Sequence, residues 1–355
     1  MSDTNLNRVY ETRTYINPIR PDYFADPFVW KAKGEYYAVA TGPVEAAGEV
    51  VDAERAATGL LAQLRIFPML RSDDFVHWQP IRHALIPPDP ALGGEFWAPE
   101  VAHHNGIYYM YYSIGGGQVG RHVLRVATSP HPMGPYTDSG KNLVQPEHSP
   151  FSIDAHPFQD ENGQWYLFYA CDFFDSENGM RPGTGIVVDR LLDMTTLAGE
   201  PQIVLRPRSD WQRFESGLFI YGQVFDWHTL EAPAVRKHDG KYYCFYSGGR
   251  WENESYSVDY GVADHVLGPY SDAGSESGGR LLQTIPGHVV GPGHCSIVMG
   301  PDHETEYVVY HAWDAAQTAR QMRMDRLQWT PNGPRCLPTG TPQEVRALVD
   351  PQKGL

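Results

Sequence analysis

One motif returns along the chain at nearly constant phase. Residues 26–42 read DPFVWKAKGEYYAVATG, 98–116 read APEVAHHNGIYYMYYSIGG, 156–172 read HPFQDENGQWYLFYACD and 232–249 read APAVRKHDGKYYCFYSGG. In each copy a proline heads an apolar run, a polar turn ends in glycine, and an aromatic pair opens a second apolar run. The proline-to-glycine spacing is 7, 7, 6 and 7 residues, and the aromatic pair begins two residues after the glycine. A fifth, looser copy, GHCSIVMGPDHETEYVVYHAW, fills 293–313 without the leading proline.

Each copy predicts a β-hairpin. Asn-Gly or Asp-Gly stands at three of the turns (Gly106, Gly163, Gly240), the pairs that reverse a chain most tightly. A proline at the first position of a strand removes no ladder bond. A third apolar run and a second turn cluster follow each hairpin, as in VLRVATSPHPMGPYTDSG and DYGVADHVLGPYSDAG. About four strands per repeat predict an all-β five-bladed β-propeller, with four-stranded blades around a central channel. A β-sandwich also has many short strands, but its strands need no common phase of head, glycine and aromatic pair. The propeller is expected over residues 21–340 as a single domain, with an N-terminal arm at 1–20 and a tail at 341–355 packed across the first or last blade. Residues 43–60, PVEAAGEVVDAERAATGL, read as an insertion in the first blade.

Composition excludes some partners. A net charge of -15 repels phosphate backbones, so nucleic acid is not expected. No apolar stretch reaches the roughly 18 residues that span a bilayer. The start, MSDTNLNRVYETRTYINPIR, has no apolar leader, which makes the cytoplasm the expected location. Cys171, Cys244, Cys295 and Cys336 lie far apart and read as free thiols.

In a propeller the innermost strands run along the central channel, so the five heads open into one mouth. Here they carry Asp26, then Trp97 with Glu95 and Glu100, then Asp154 with His156, then Glu231, then His294. Acids aimed at one point repel each other, an arrangement that a purely structural role rarely needs. Glycoside hydrolysis needs such carboxylates: one ionised to draw a proton from water, one protonated to give its proton to the leaving oxygen. A third carboxylate beside the acid can raise its pKa. Trp97 offers a flat apolar face to a sugar ring, and Phe28 at the first head is a candidate pocket wall. Glu95 and Glu100 read as surface or loop acids.

These stretches resemble glycoside hydrolase family 43, five-bladed propeller enzymes that act on arabinose- and xylose-containing glycans. The matching segments are YFADPFVW, EFWAPEV, SIDAHPF, LEAPAV, GPGHCSIV and YHAW followed by MDRLQW, spanning about 23–340. The resemblance implies Asp26 as general base, Glu231 as general acid and Asp154 as the residue that tunes and positions the acid. It implies inversion, with base and acid about 6.5–9.5 Å apart. It makes Arg320 a candidate donor to sugar hydroxyls. It places His294 in the channel, where some members hold a structural calcium or other ion; no catalytic cofactor is implied. Two motifs depart from the family pattern: the acid segment reads Glu231-Ala232-Pro233, and Ala155-His156 separate Asp154 from Pro157.

The expected function is therefore an inverting exo-glycosidase that removes terminal α-L-arabinofuranosyl or β-D-xylosyl units from plant-cell-wall-derived oligosaccharides. An endo-arabinanase and a carbohydrate-binding propeller without turnover are the alternatives. The second alternative predicts a lost acid or base, and both stand in the sequence.

Overall fold

The computed structural model describes residues 9–42, 66–116, 122–272 and 276–349. The insertion expected at 43–60 lies outside the described residues. The rest folds as five successive antiparallel meanders, one per sequence repeat. Their inner strands are Ala25–Ala32, Glu95–His104, Ser152–Gln159, Gln223–His238 and Val290–Met299. Each inner strand packs on the next, and the fifth packs on the first, which is the ring order of a propeller.

The aromatic pairs explain how the ring holds together. Successive side chains of a strand point to opposite faces, so each pair gives one ring to each flanking core. Tyr36 enters the core between units five and one, and Tyr37 the core between units one and two. Tyr166 packs between units three and four, while Trp165 lies against the core between two and three. Five apolar clusters result, each shared by two neighbouring meanders. Among the described residues no meander has a private core, which is why the repeats stand or fall together.

Two details separate the units. Units three and four are joined by a short parallel pairing of Gly183 with His228 and Thr184 with Thr229. Just before it, Arg213–Ile220 and the first part of Gln223–His238 form an extra hairpin. In unit four the outer position is held by a bridge between Val262 and Ser271 rather than by a full strand.

Closure is made by the N-terminal segment. Strand Arg20–Tyr23 adds to Arg320–Thr330 at the edge of unit five, and Tyr10–Tyr15 pairs with the tail strand Gln343–Leu348. Asn17 joins these two layers. Its amide donates to the Met324 carbonyl at 2.9 Å and to Asp325 at 3.0 Å, and its oxygen accepts the Met324 N–H at 2.9 Å. The buried side chain thus acts as a missing strand residue. Cys244, Cys295 and Cys336 are buried, Cys171 is partly buried, and all four are free.

Replacing Asn17 by alanine would leave the Met324 N–H buried and unpaired, while the Met324 carbonyl keeps the Tyr15 hydroxyl at 3.0 Å. We expect a loss of about 1–3 kcal/mol in urea unfolding at unchanged slope. A change inside the surface-substitution range of about 0.5 kcal/mol would contradict this role.

Candidate active site

All five inner strands break their pairing at the same place. The register slips between Ala25 and Phe28, Trp97 and Glu100, Ile153 and His156, Glu231 and Ala234, and Gly293 and Ser296. One residue in each bulge is left-handed: Asp26 at φ 51°, Ala98 at 47°, Asp154 at 58°, Ala232 at 54° and His294 at 46°. None is glycine, and each such position costs roughly 1–2 kcal/mol. Strain repeated at one ring of positions marks a site under selection for geometry rather than stability.

A side chain of the preceding unit stabilises each bulge by accepting its N–H. Thr41 accepts from Ala98 at 2.8 Å, Ser113 from Asp154 at 3.1 Å, Ser247 from His294 at 2.8 Å, and His311 closes the ring from Asp26 at 3.1 Å. These acceptors lie across the hairpin from Ala25, Trp97, Glu231 and Gly293. In unit three the equivalent residue, paired with Ile153, is Ala170, which has no acceptor. The carboxylate of Asp154 takes over and accepts the Ala232 N–H at 3.0 Å. Asp154 therefore occupies the same bulge position as Asp26, although its proline comes later in the sequence. Glu231 stands one residue before its bulge, where unit two has Trp97.

The bulges turn these residues into one cavity of about 730 Å³. Asp26, Asp154, Glu231, Trp97, His294 and Arg320 all line it. Burial favours the neutral form of Asp26, but Arg320, whose Nη1 lies 3.1 Å from Oδ1, outweighs it together with His294 and His311, and holds the carboxyl well below its usual range. Burial pushes both histidines down, His311 to about 4, so at neutral pH the guanidinium is the lasting positive charge. Glu231 goes the other way. Burial raises it to about 7, aided by the charge of Asp26 and opposed by a 2.7 Å hydrogen bond from the Tyr256 hydroxyl and by Arg320. Asp154 is raised well above its usual range by burial and then by the charges of Glu231 and Asp26. Asp154 and Glu231 repel each other, so together they keep a proton that Asp26 gives up.

Arg320 has partners that the sequence did not show. Besides Asp26 it donates to the Tyr23 hydroxyl from Nε at 3.2 Å and from Nη2 at 2.7 Å, and it lies over Trp251 at 4.5 Å. It is fixed as the partner of Asp26. His294 lies between the aspartates, Nδ1 being 3.5 Å from Asp26 and 3.9 Å from Asp154. The indole of Trp97 stacks at 3.7 Å on His122, which burial pushes to about 4. Phe28 is a correction. It lines a second cavity, toward the other end of the inner strands, and stacks on Trp30 at 6.1 Å. The bulge at Asp26 resets the alternation, so a residue two positions on no longer shares its pocket. Glu95 sits at the rim as an exposed acid, whereas Glu100 is buried and paired with His156 at 2.7 Å.

A hard cation fits this cavity poorly. Calcium takes six to eight oxygens, and the charge of Asp26 is already met by a guanidinium. Among the described residues no three His, Cys, Asp or Glu side chains are placed to share an ion. Tyr23, Tyr256, His122 and Trp251 are site residues that the repeat did not reveal, because none stands at a head. The clasp residues were accessible in principle: Thr41, Ser113 and Ser247 each stand five residues after the start of an aromatic pair.

An all-β ring with buried carboxylates in opposite protonation states inside one cavity is the equipment of a glycoside hydrolase. The chain belongs to the glycosyl hydrolases family 43, whose family model matches residues 15–334. It is 27% identical to beta-D-galactofuranosidase xynD of Aspergillus niger, over 89% of this chain and 83% of the relative. It is 26% identical to the extracellular exo-alpha-(1->5)-L-arabinofuranosidase ArbA of Cellvibrio japonicus, over 69% of this chain and 70% of that one. The crystal structure of a thermostable family-43 glycoside hydrolase superposes with a TM-score of 0.74 at 29% identity, over 93% of this chain and 98% of the other.

A raised Glu231 has a consequence for stability. The folded protein keeps a proton that the unfolded chain releases from about 4.5 upward, so folding stability falls as pH rises toward about 7. Glu231→Gln removes this loss. The variant should melt higher than the parent, by a margin that widens from about pH 5 to about pH 8. An unchanging margin would show that Glu231 titrates alike in both states.

Proposed function

We propose that the protein is an inverting exo-glycosidase that removes terminal α-L-arabinofuranosyl or β-D-xylosyl units from oligosaccharides, with Asp26 as base and Glu231 as acid. The arrangement that carries this reading is two carboxyls in one cavity, Asp26 against the Arg320 guanidinium at 3.1 Å and Glu231 against the Tyr256 hydroxyl at 2.7 Å and pushed up by burial. Asp26, held ionised by Arg320, accepts a proton from water as the water oxygen bonds to the anomeric carbon. Glu231 gives its proton to the glycosidic oxygen as that bond breaks. The cycle leaves Asp26 protonated and Glu231 ionised, and exchange with solvent restores both. Asp154 keeps the proton on Glu231 until it is needed and, anchored to the Ala232 N–H, holds the strand that carries the acid. The uncovered face of Trp97 receives the sugar ring. His294 supplies a neutral imidazole at the cavity floor, suited to a sugar hydroxyl. The free N–H groups of Arg320 suit the same task. The hairpin at 213–228, which walls one side of the cavity, favours exo over endo action.

The relatives' substrates set the assay. Aryl α-L-arabinofuranoside, β-D-xyloside and β-D-galactofuranoside should be compared, with linear arabinan oligomers as the endo control. One glycone should be cleaved, and Asp26→Asn should lose on the order of 10²–10⁴-fold on it. Glu231→Gln should lose as much with a poor leaving group and far less with a dinitrophenyl one, which needs no proton. Equal losses on both would remove Glu231 as the acid. Turnover of oligomers alone would favour the endo enzyme, and no turnover the binding propeller.

The pH profile gives a separate check. Asp26 stays ionised through the working range, so only loss of the Glu231 proton should limit kcat/KM, which should fall as pH rises through about 7. In Asp154→Asn the second carboxyl that shares the proton with Glu231 is gone, and this limb should move to lower pH. An unmoved limb would remove Asp154 as the tuning group.

A further inference from the structure

The proposed acid has two oxygens, and one of them is already engaged. The Tyr256 hydroxyl donates to Oε1 of Glu231 at 2.7 Å. Burial, and then the charges of Glu231 and Asp26, push that hydroxyl well above its usual range, so it keeps its own proton. Oε2 has no hydrogen-bond partner among the described residues, and Glu231 lines the cavity. A neutral carboxyl carries its proton on one oxygen and accepts with the other. Tyr256 makes Oε1 the accepting oxygen, which leaves the proton to Oε2.

The Tyr256 ring is buried and fixed by unit five. Glycine at position 293 gives it room, because a Cβ there would collide with ring atom Cε1. His311 lies nearly parallel to the ring, at 11° and 5.8 Å between centroids. His311 also accepts the Asp26 N–H at 3.1 Å. The residue that holds Glu231 thus rests on the residue that clasps Asp26.

We propose that Tyr256 is a positioning residue for the proton transfer: it confines the proton of Glu231 to Oε2 and steadies the carboxyl as negative charge grows on it. The inference rests on Glu231 acting as the acid. While Glu231 is neutral, the bond from Tyr256 is an ordinary one. As the proton passes to the glycosidic oxygen it becomes a bond to a carboxylate, roughly twice as strong. The gain arises along the transfer, so it lowers the barrier without tightening substrate binding.

The same bond makes Glu231 easier to ionise. Tyr256 and Arg320 lower it, Asp26 and Glu252 raise it, Asp154 repels its charge, and His294 and His311 beside it are held neutral by burial. Tyr256→Phe keeps the ring and removes only the donor. The high-pH limb of kcat/KM should move to higher pH, opposite to Asp154→Asn. Below that limb kcat should fall about tenfold with a poor leaving group, at nearly unchanged KM. With a dinitrophenyl leaving group it should stay within about twofold of the parent. A site merely loosened by the substitution would lose activity on both leaving groups and keep its limb. A limb that stays or moves down, or equal losses on both leaving groups, overturns the inference and leaves the hydrolase reading intact. Equal losses in Glu231→Gln itself would instead remove Glu231 as the acid, and the inference with it.

Discussion

Five left-handed bulges, each clasped by a side chain of the preceding unit, are the constraint on which the site depends. Without them the inner strands would run straight, and alternation would point half of the head residues into the cores between units. The bulge turns the head toward the cavity, and the clasp makes its exposed N–H a contact between neighbours. Geometry at the mouth is therefore tied to the closure of the ring. Unit three shows what one substitution in this scheme does. Ala170 cannot accept, and the Asp154 carboxylate fills the role across the unit boundary. The residue proposed to tune the acid is thus fixed by the same bond that stabilises the strand of Glu231.

Electrostatics follow from that geometry. Three carboxyls share a buried space with one guanidinium, and the two nearby histidines are held neutral by burial. One negative charge can be matched, and Arg320 decides which by its contact with Asp26. The remaining proton stays with Asp154 and Glu231, because releasing it would leave unpaired charges out of water. The proposed base and acid are thus two settings of the same side-chain chemistry, separated by which one touches the cation. What Asp26 loses in basicity it gains in being ionised at every working pH.

Much of this was readable from the sequence, for physical reasons that differ by element. The hairpins were readable because turn chemistry and strand alternation are local. The gathering of Asp26, Asp154 and Glu231 was readable because equal phase in a closed ring implies a common mouth. Phe28 was misplaced because a bulge breaks the alternation that placed it, and a bulge has no period of its own. Arg320 and Tyr256 come from third strands and loops, whose distance from the mouth depends on the closed ring. The hairpin at 213–228 falls between repeats, so nothing in the phase pointed to it. Glu100 was read as a surface acid, yet it is buried because its partner, His156, is supplied by another unit.

The central claim is that Glu231 holds a proton near neutral pH while Asp26, in the same cavity, does not. Carbon-13 NMR of protein labelled at the glutamate and aspartate carboxyl carbons reads this directly, with Glu231→Gln and Asp26→Asn to assign the signals. The account predicts one glutamate signal that titrates near 7 and vanishes in Glu231→Gln. It also predicts an Asp26 signal that stays that of a carboxylate down to about pH 4. A Glu231 signal that titrates in the ordinary range near 4.5, or an Asp26 signal that titrates near neutrality, would contradict it.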